Sequence, residues 1–175
     1  LLALQPEHVN ARTARFDIAA LERPPREVRQ MLADAARRPL GLYPEGLEVI
    51  ELYLNARESG AEADRAAAVD RILDLGVKRL PTDMGILLLA RLGDIDAAFA
   101  LANLYVDNPL TVRASYYFVP LFLYAPVTQP MREDPRFVAL LEKLNLPDYW
   151  RMTGRWPDFC ANEPRSVCAR LKAMQ

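Results

Sequence analysis

Few residues in this 175-residue chain carry the chemistry of catalysis. His8 is the single histidine. A histidine base needs an orienting partner and a nucleophile. The neighbouring sequence supplies neither, so His8 reads as a surface residue of a linker. Cys160 and Cys168, the two cysteines, stand eight positions apart and flank Asn162, Glu163 and Pro164. A turn there could bring the sulfurs into bonding range, and closing so short a loop stabilises a fold by roughly 2–3 kcal/mol in the loop-entropy account. Two free thiols are the alternative. The pair is not a C-x-x-C, and it lacks the further His or Cys of a zinc site. Asp94 and Asp96 form a D-x-D able to hold a divalent metal, but Asp94 is better used as a helix cap. Glu133 and Asp134 could in principle act as acid and base. Beside Pro135 they read instead as capping and first-turn charge. There is no G-x-G-x-x-G, P-loop or G-x-S-x-G. No catalytic residue, metal ligand or cofactor is therefore assigned, and the chain is expected not to be an enzyme.

Recognition chemistry is better represented. The run Tyr116, Tyr117, Phe118, Phe122 and Tyr124 follows Arg113 closely. Tyrosine and arginine dominate interface hot spots, so Tyr105, Arg113, Tyr116, Tyr117 and Tyr124 are the expected lining of a groove for a peptide or small ligand. The plainer reading is that these rings pack a core, with a phenol or two reaching water. Trp150 and Trp156 are expected to seal the end of the structure. Arg23, Arg26, Arg29, Arg37 and Arg38 are interleaved with Glu22, Glu27 and Asp34, the pattern of a solvated helix face.

The elements that position these residues are helical in period. Val28, Met31, Leu32, Ala35 and Ala36 make an amphipathic stripe that opens on Pro24-Pro25 and is stopped by Pro39 and Gly41. Leu47, Ile50 and Leu54 make the next, ended by Gly60. An alanine-rich helix follows over Glu62–Leu75, with Gly76 as its expected left-handed cap. Residues 82–107 form the best-defined hairpin. Ile86, Leu87, Leu88, Leu89 and Leu92 are apolar almost all round, Gly93 takes the turn, and Asp94 accepts from the free N–H groups of the next helix. On that helix Ala98 and Ala102 allow close approach, with Phe99 and Tyr105 as bulk. The run from Tyr116 to Tyr124 fits a buried helix kinked at Pro120 better than a strand, because no second strand-like run exists to pair with it. Phe137, Leu140, Leu141 and Leu144 repeat the helical stripe after Asp134-Pro135. About eight helices in sequential pairs predict an all-α fold.

Composition sets the bounds. Hydrophobic residues make up 51% and charged residues 26%, enough to bury a core, and the formal net charge is −1. That balance argues against nucleic-acid contact, which needs a basic face. No apolar run approaches the ~20 residues of a membrane span. Leu1-Leu2-Ala3-Leu4-Gln5-Pro6 reads as the last turn of a helix stopped by proline. With neither Met nor a signal-like segment before it, the chain is expected to be part of a longer protein.

Leu92-Gly93-Asp94-Ile95-Asp96-Ala97-Ala98, with Pro109 beyond, resembles the mid-turn of a tetratricopeptide repeat, and Leu4-Gln5-Pro6-Glu7-His8 resembles the end of an earlier one. The first-helix Trp and Leu-Gly of that motif are absent. Further along, Met131-Arg132-Glu133-Asp134-Pro135-Arg136-Phe137 leads through Leu144-Asn145-Leu146-Pro147-Asp148-Tyr149-Trp150 to Gly154-Arg155-Trp156-Pro157-Asp158-Phe159-Cys160. This is similar to the C-terminal tetratricopeptide-like regions of bacterial multidomain signalling proteins. Among these are CadC-type winged-helix regulators and proteins with adenylate-cyclase or kinase domains. The likeness covers residues 81–168 best. It implies an antiparallel helix-hairpin stack, a degenerate α-solenoid spanning 1–175 with a short capping C-terminal tail. It implies a sensory or protein-interaction role in a transcriptional regulator, and it adds weight to a Cys160–Cys168 disulfide. The place would be the periplasm if a membrane-spanning regulator carries the domain, and the cytoplasm otherwise. The alternative is a structural domain that dimerises an enzyme and binds no ligand of its own.

Overall fold

Prolines and left-handed residues set most of the helix boundaries. The computed structural model describes residues 9–39, 42–78, 83–108 and 120–173. Among them there are eleven α-helices and no strand, so the fold is all-α. The chain divides into two compact units, Leu1–Ile72 and Leu73–Gln175. No helix among the described residues is long and apolar enough to cross a membrane.

The first unit holds α1 (Val9–Glu22), α2 (Pro25–Ala33), α3 (Pro44–Ser59) and most of α4 (Glu62–Lys78). Pro25 and Pro44 occupy first-turn positions of α2 and α3, where a missing N–H leaves no bond unmade. α3 ends on Gly60 at φ 64°, whose N–H donates to the Ala56 carbonyl at 3.1 Å. α1 buries Arg12, Phe16, Ala19 and Ala20, an i, i+4, i+7, i+8 stripe. The Tyr53 hydroxyl donates to the Ala20 carbonyl at 2.9 Å and Arg57 Nη1 does so at 2.6 Å, which ties the end of α1 to α3. Arg29 of α2 donates to Glu51, Asn55 and Glu58, which share one face of α3, at 3.1, 2.7 and 2.7 Å.

The expected stripe from Val28 to Ala36 is cut short. α2 stops at Ala33, and Ala35 and Ala36 are exposed. Asp34 turns to extended backbone and its carboxylate accepts from the Ala36 N–H at 2.9 Å. Arg12 Nη2 then takes the carbonyls of Ala35 and Arg38 at 2.6 and 2.7 Å.

The second unit is built on the hairpin α5 (Asp83–Arg91) and α6 (Ile95–Asp107). Gly93 is left-handed at φ 78°, and the Asp94 N–H reaches back to the Leu89 carbonyl at 3.1 Å. The Asp94 carboxylate accepts from the Ala97 N–H at 3.0 Å, so it caps α6 as its position in the sequence predicts. Asp96 is not paired with it for a metal; Arg136 takes Asp96 at 2.7 Å. Two 3₁₀ turns, Leu121–Leu123 and Pro126–Thr128, pack on α5 and bury Phe122, Leu123 and Thr128. The expected helix through Tyr124 is thus a 3₁₀ turn after Pro120, while residues 116–119 lie outside the described residues. Five short helices complete the unit: α7 (Gln129–Glu133), α8 (Arg136–Lys143), α9 (Leu146–Thr153), α10 (Phe159–Asn162) and α11 (Cys168–Ala173). They account for the excess over the eight helices expected, because Pro135, Pro147, Pro157 and Pro164 keep each segment short.

Gly76 corrects a local reading. α4 runs through it to Lys78 instead of ending there. A Cβ built at Gly76 would collide with Leu101 Cδ1 of α6, and Leu101 is fully buried. The residue is small because two helices meet at that point. Propensity alone gives Gly76→Ala a gain of about 1 kcal/mol. The collision reverses the sign, and a net loss of about 1–3 kcal/mol is expected, read from the shift of the urea midpoint at constant slope.

Candidate functional site

The structure separates the residues that sequence marked for a groove. Tyr105 is buried, its ring lies edge-on to Phe122 at 5.6 Å, and its hydroxyl donates to Asp83 at 3.3 Å. Burial, then the Asp83 charge, pushes its phenol pKa upward. Tyr105 therefore packs the core of its unit. Tyr124 is 43% exposed and tilts against Phe159 at 6.2 Å. Arg113, Tyr116 and Tyr117 lie outside the described residues, as does His8. Trp150 is buried and Trp156 half-buried, 6.0 Å apart, and Trp150 meets Phe159 edge-on at 6.2 Å.

Cys160 and Cys168 are joined in a disulfide with Cα atoms 5.4 Å apart. The bridge closes the loop that carries Glu163 to Arg132. Arg132 is 1% exposed, yet its guanidinium donates to both carboxylate oxygens of Glu163 at 2.7 and 2.6 Å. It also donates to the Ala125 carbonyl at 2.9 Å, the Thr128 hydroxyl at 2.9 Å and the Leu123 carbonyl at 3.2 Å. Its own carbonyl accepts from the Val167 N–H at 2.8 Å. A cation buried with this many acceptors is a structural clamp. Among the described residues no cluster of carboxylates, histidine and cysteines is placed to hold a metal.

The concave site lies in the first unit, where sequence reasoning placed none. α1 and α2 enclose an open cavity of about 950 Å³. Its floor is Ala11, Ala14, Ile18 and Ala19 of α1 with Met31 of α2. Folding buries one stripe of α1 and leaves the adjacent apolar stripe uncovered, so that Ile18 remains 57% exposed. Arg15 rises from α1, Arg23 from the link between α1 and α2, Arg26 from the first turn of α2, and Arg37 from the loop that Arg12 holds. Arg23 pairs with Glu27 at 3.2 Å and Arg37 with Asp34 at 3.1 Å. Arg15 and Arg26 are exposed, and among the described residues neither has a carboxylate within ion-pair distance. The arginine cluster thus divides. Arg29 fastens α2 to α3, while Arg23, Arg26 and Arg37 face the groove.

Two signals in the sequence could have found this site. Arg12, Phe16, Ala19 and Ala20 carry the helical period once a buried arginine is admitted to the stripe. Ala11, Ala14 and Ile18 repeat it one face over.

Asp17 stands next to Ile18 on α1, and burial pushes its carboxyl up from 3.8 to about 6. Its folded pKa is above the unfolded one, so the fold favours the protonated acid. That contribution is full below pH ~4 and is lost as pH rises through ~6. Asp17→Asn is expected to leave stability unchanged below pH ~4 and raise it at pH 7. The gain is about 1–2 kcal/mol, less than the whole shift implies because the side chain keeps some solvent. Urea unfolding of both proteins across that pH range measures the difference.

No protein family model, no curated protein and no solved structure matches the chain.

Proposed function

We propose that the chain is a non-catalytic protein-interaction domain that binds a partner in the groove between α1 and α2. The observation that carries this reading is an apolar floor left uncovered by folding, with Ile18 57% exposed, and rimmed by four guanidiniums, two of which, Arg15 and Arg26, have no carboxylate partner among the described residues. Binding sites are concave, mostly apolar and furnished with a few polar groups that fix orientation, and α1–α2 has that make-up. A partner that favours one arrangement of the helices would shift the equilibrium sensed by whatever domain is attached.

The tetratricopeptide-like stack and the setting in a bacterial signalling protein, a transcriptional regulator first of all, belong to the same proposal. Their support is the Gly93-Asp94 hairpin and the resemblance over residues 81–168. A second reading, an oligomerisation domain, draws support from α9, where Tyr149 is 49% and Met152 is 82% exposed. Sedimentation of the chain decides it, since a strict monomer excludes that role.

The groove is tested by placing a photo-crosslinking amino acid at Ile18 of the full-length native protein in its own cells. The expected result is one discrete covalent adduct. Ala14→Trp fills the groove from an exposed position and should cut its yield roughly tenfold with the thermal midpoint kept. No adduct, or an adduct indifferent to Ala14→Trp, overturns the groove as the site.

A further inference from the structure

We propose, resting on the reading of the α1–α2 groove as a partner site, that its occupant is an acidic amphipathic helix of another protein. Three observations converge on that chemistry. First, the charge is one-sided among the described residues: Glu27 engages Arg23 at 3.2 Å and Asp34 engages Arg37 at 3.1 Å, which leaves two of the four guanidiniums unmatched. Arg15 and Arg26 stand one on each helix, exposed and without a carboxylate among the described residues. A cationic occupant is repelled and a neutral one leaves both cations unmatched, whereas an acidic one is steered in and oriented. Second, the walls are helices, whose backbone groups are bonded within each helix. They offer no edge to a strand. An extended peptide laid on Ala11, Ala14 and Ile18 would leave its N–H and C=O groups facing an apolar floor, while a helix satisfies its own. Third, the dimensions fit. From Ala11 to Ala19 the floor runs about 12 Å along α1, two turns of a helix with apolar anchors at i, i+3 and i+7. Small residues at 11, 14 and 19 let its backbone come close, and Ile18 and Met31 supply the contact between them. Acidic residues flanking those anchors on either side then reach Arg15 and Arg26. A fatty acid brings a single carboxylate and leaves one of the two guanidiniums unmatched.

The probe is a synthetic fluorescent peptide of about four helical turns, with leucines at i, i+3 and i+7 and glutamates on both flanks, titrated into the whole chain at low salt. Saturable binding with Kd of about 100 µM or tighter is expected. It should weaken roughly tenfold or more for Arg15→Glu/Arg26→Glu, for a peptide with lysines in place of the glutamates, and for a peptide broken by a central proline. The lysine peptide should in turn bind the double variant. Arg26→Glu alone is the second variant. It sits in the first turn of α2, where a negative charge suits the helix dipole, so loss of the fold does not explain its loss of binding.

Absence of saturable binding overturns the proposal, as does equal binding of the proline peptide. Displacement by oleate would assign the groove to lipid carboxylates, and a chain that self-associates through Ile18 would assign it to a second copy. Either result overturns the proposal. The Ile18 adduct separates the two levels. An adduct without peptide binding overturns the acidic helix and leaves the groove as a partner site, and absence of both overturns both.

Discussion

Arg132→Met unfolds with a free energy lower by about 3 kcal/mol or more, with the loss reported by tryptophan fluorescence. Both tryptophans, Trp150 and Trp156, lie in the unit that Arg132 holds together. Methionine nearly fills the vacated volume, so packing is a minor part of the effect. The larger part is what the guanidinium leaves behind. Glu163 loses a two-pronged partner at 2.6 and 2.7 Å, and the carbonyls of Leu123 and Ala125 lose a donor in a place that water does not easily reach. Breaking a buried pair from one side costs ~3–5 kcal/mol, and orphaned acceptors add to it. Glu163 is 16% exposed and can recover some hydration, which favours the lower end. Arg132→Lys does not rescue, because one ammonium cannot span both oxygens of Glu163 and three further acceptors. Glu163→Gln should cost less than half as much as Arg132→Met, since the amide oxygen still accepts. Equal losses from the two would show that Glu163, and not the set of carbonyls, carries the clamp.

Removal of the Cys160–Cys168 bridge has the next largest effect. For a cross-link between residues eight apart, the loop-entropy account gives ~2–3 kcal/mol. The bridge does more than shorten the unfolded chain. It encloses Glu163 and, next to Cys168, holds Val167 against the Arg132 carbonyl. Bridge and clamp therefore share a loop and should not act independently. In Cys160→Ser/Cys168→Ser, the loss caused by Arg132→Met should shrink, because the loop no longer presents Glu163 as firmly. A double-mutant cycle by urea unfolding measures the coupling, expected at about 1 kcal/mol. Strict additivity would mean that Glu163 is positioned by α10 and α11 alone.

What could be read from the sequence was what neighbours in the chain decide. Gly93 and Asp94 act on groups within five residues, so the hairpin and its cap were visible in the letters. The second hairpin helix behaves likewise, with Ala98 and Ala102 fully buried. The failures are long-range. Gly76 looks like a helix cap until Leu101 is placed beside it. Tyr105 looks like a recognition residue until Asp83 and Phe122 enclose it. Arg12 and Arg132 have no sequence mark of burial, because an arginine goes inside only when distant carbonyls or a carboxylate are brought to meet it. The candidate site was hidden for the same reason. Ala11, Ala14 and Ile18 are a weak signal in a short helix, and the arginines around them are interleaved with acids. Only the fold sorts those arginines into ones that pair and ones that do not.

The spacing of contacts along the chain also orders events in time. The Gly93 turn joins α5 to α6 through three residues, so their apolar faces meet with almost no chain to search. The Arg132–Glu163 pair closes a loop of 31 residues, and it needs the 3₁₀ turns in place to supply its other acceptors. Loop closure of that length is slower and costs more entropy. On the ribosome the order is stricter still. α5 and α6 emerge before the loop that carries Glu163, so the face of α6 that later receives Arg136 over Phe99 waits uncovered. A slow codon or a stall before residue 163 would hold the chain in its most adhesive form.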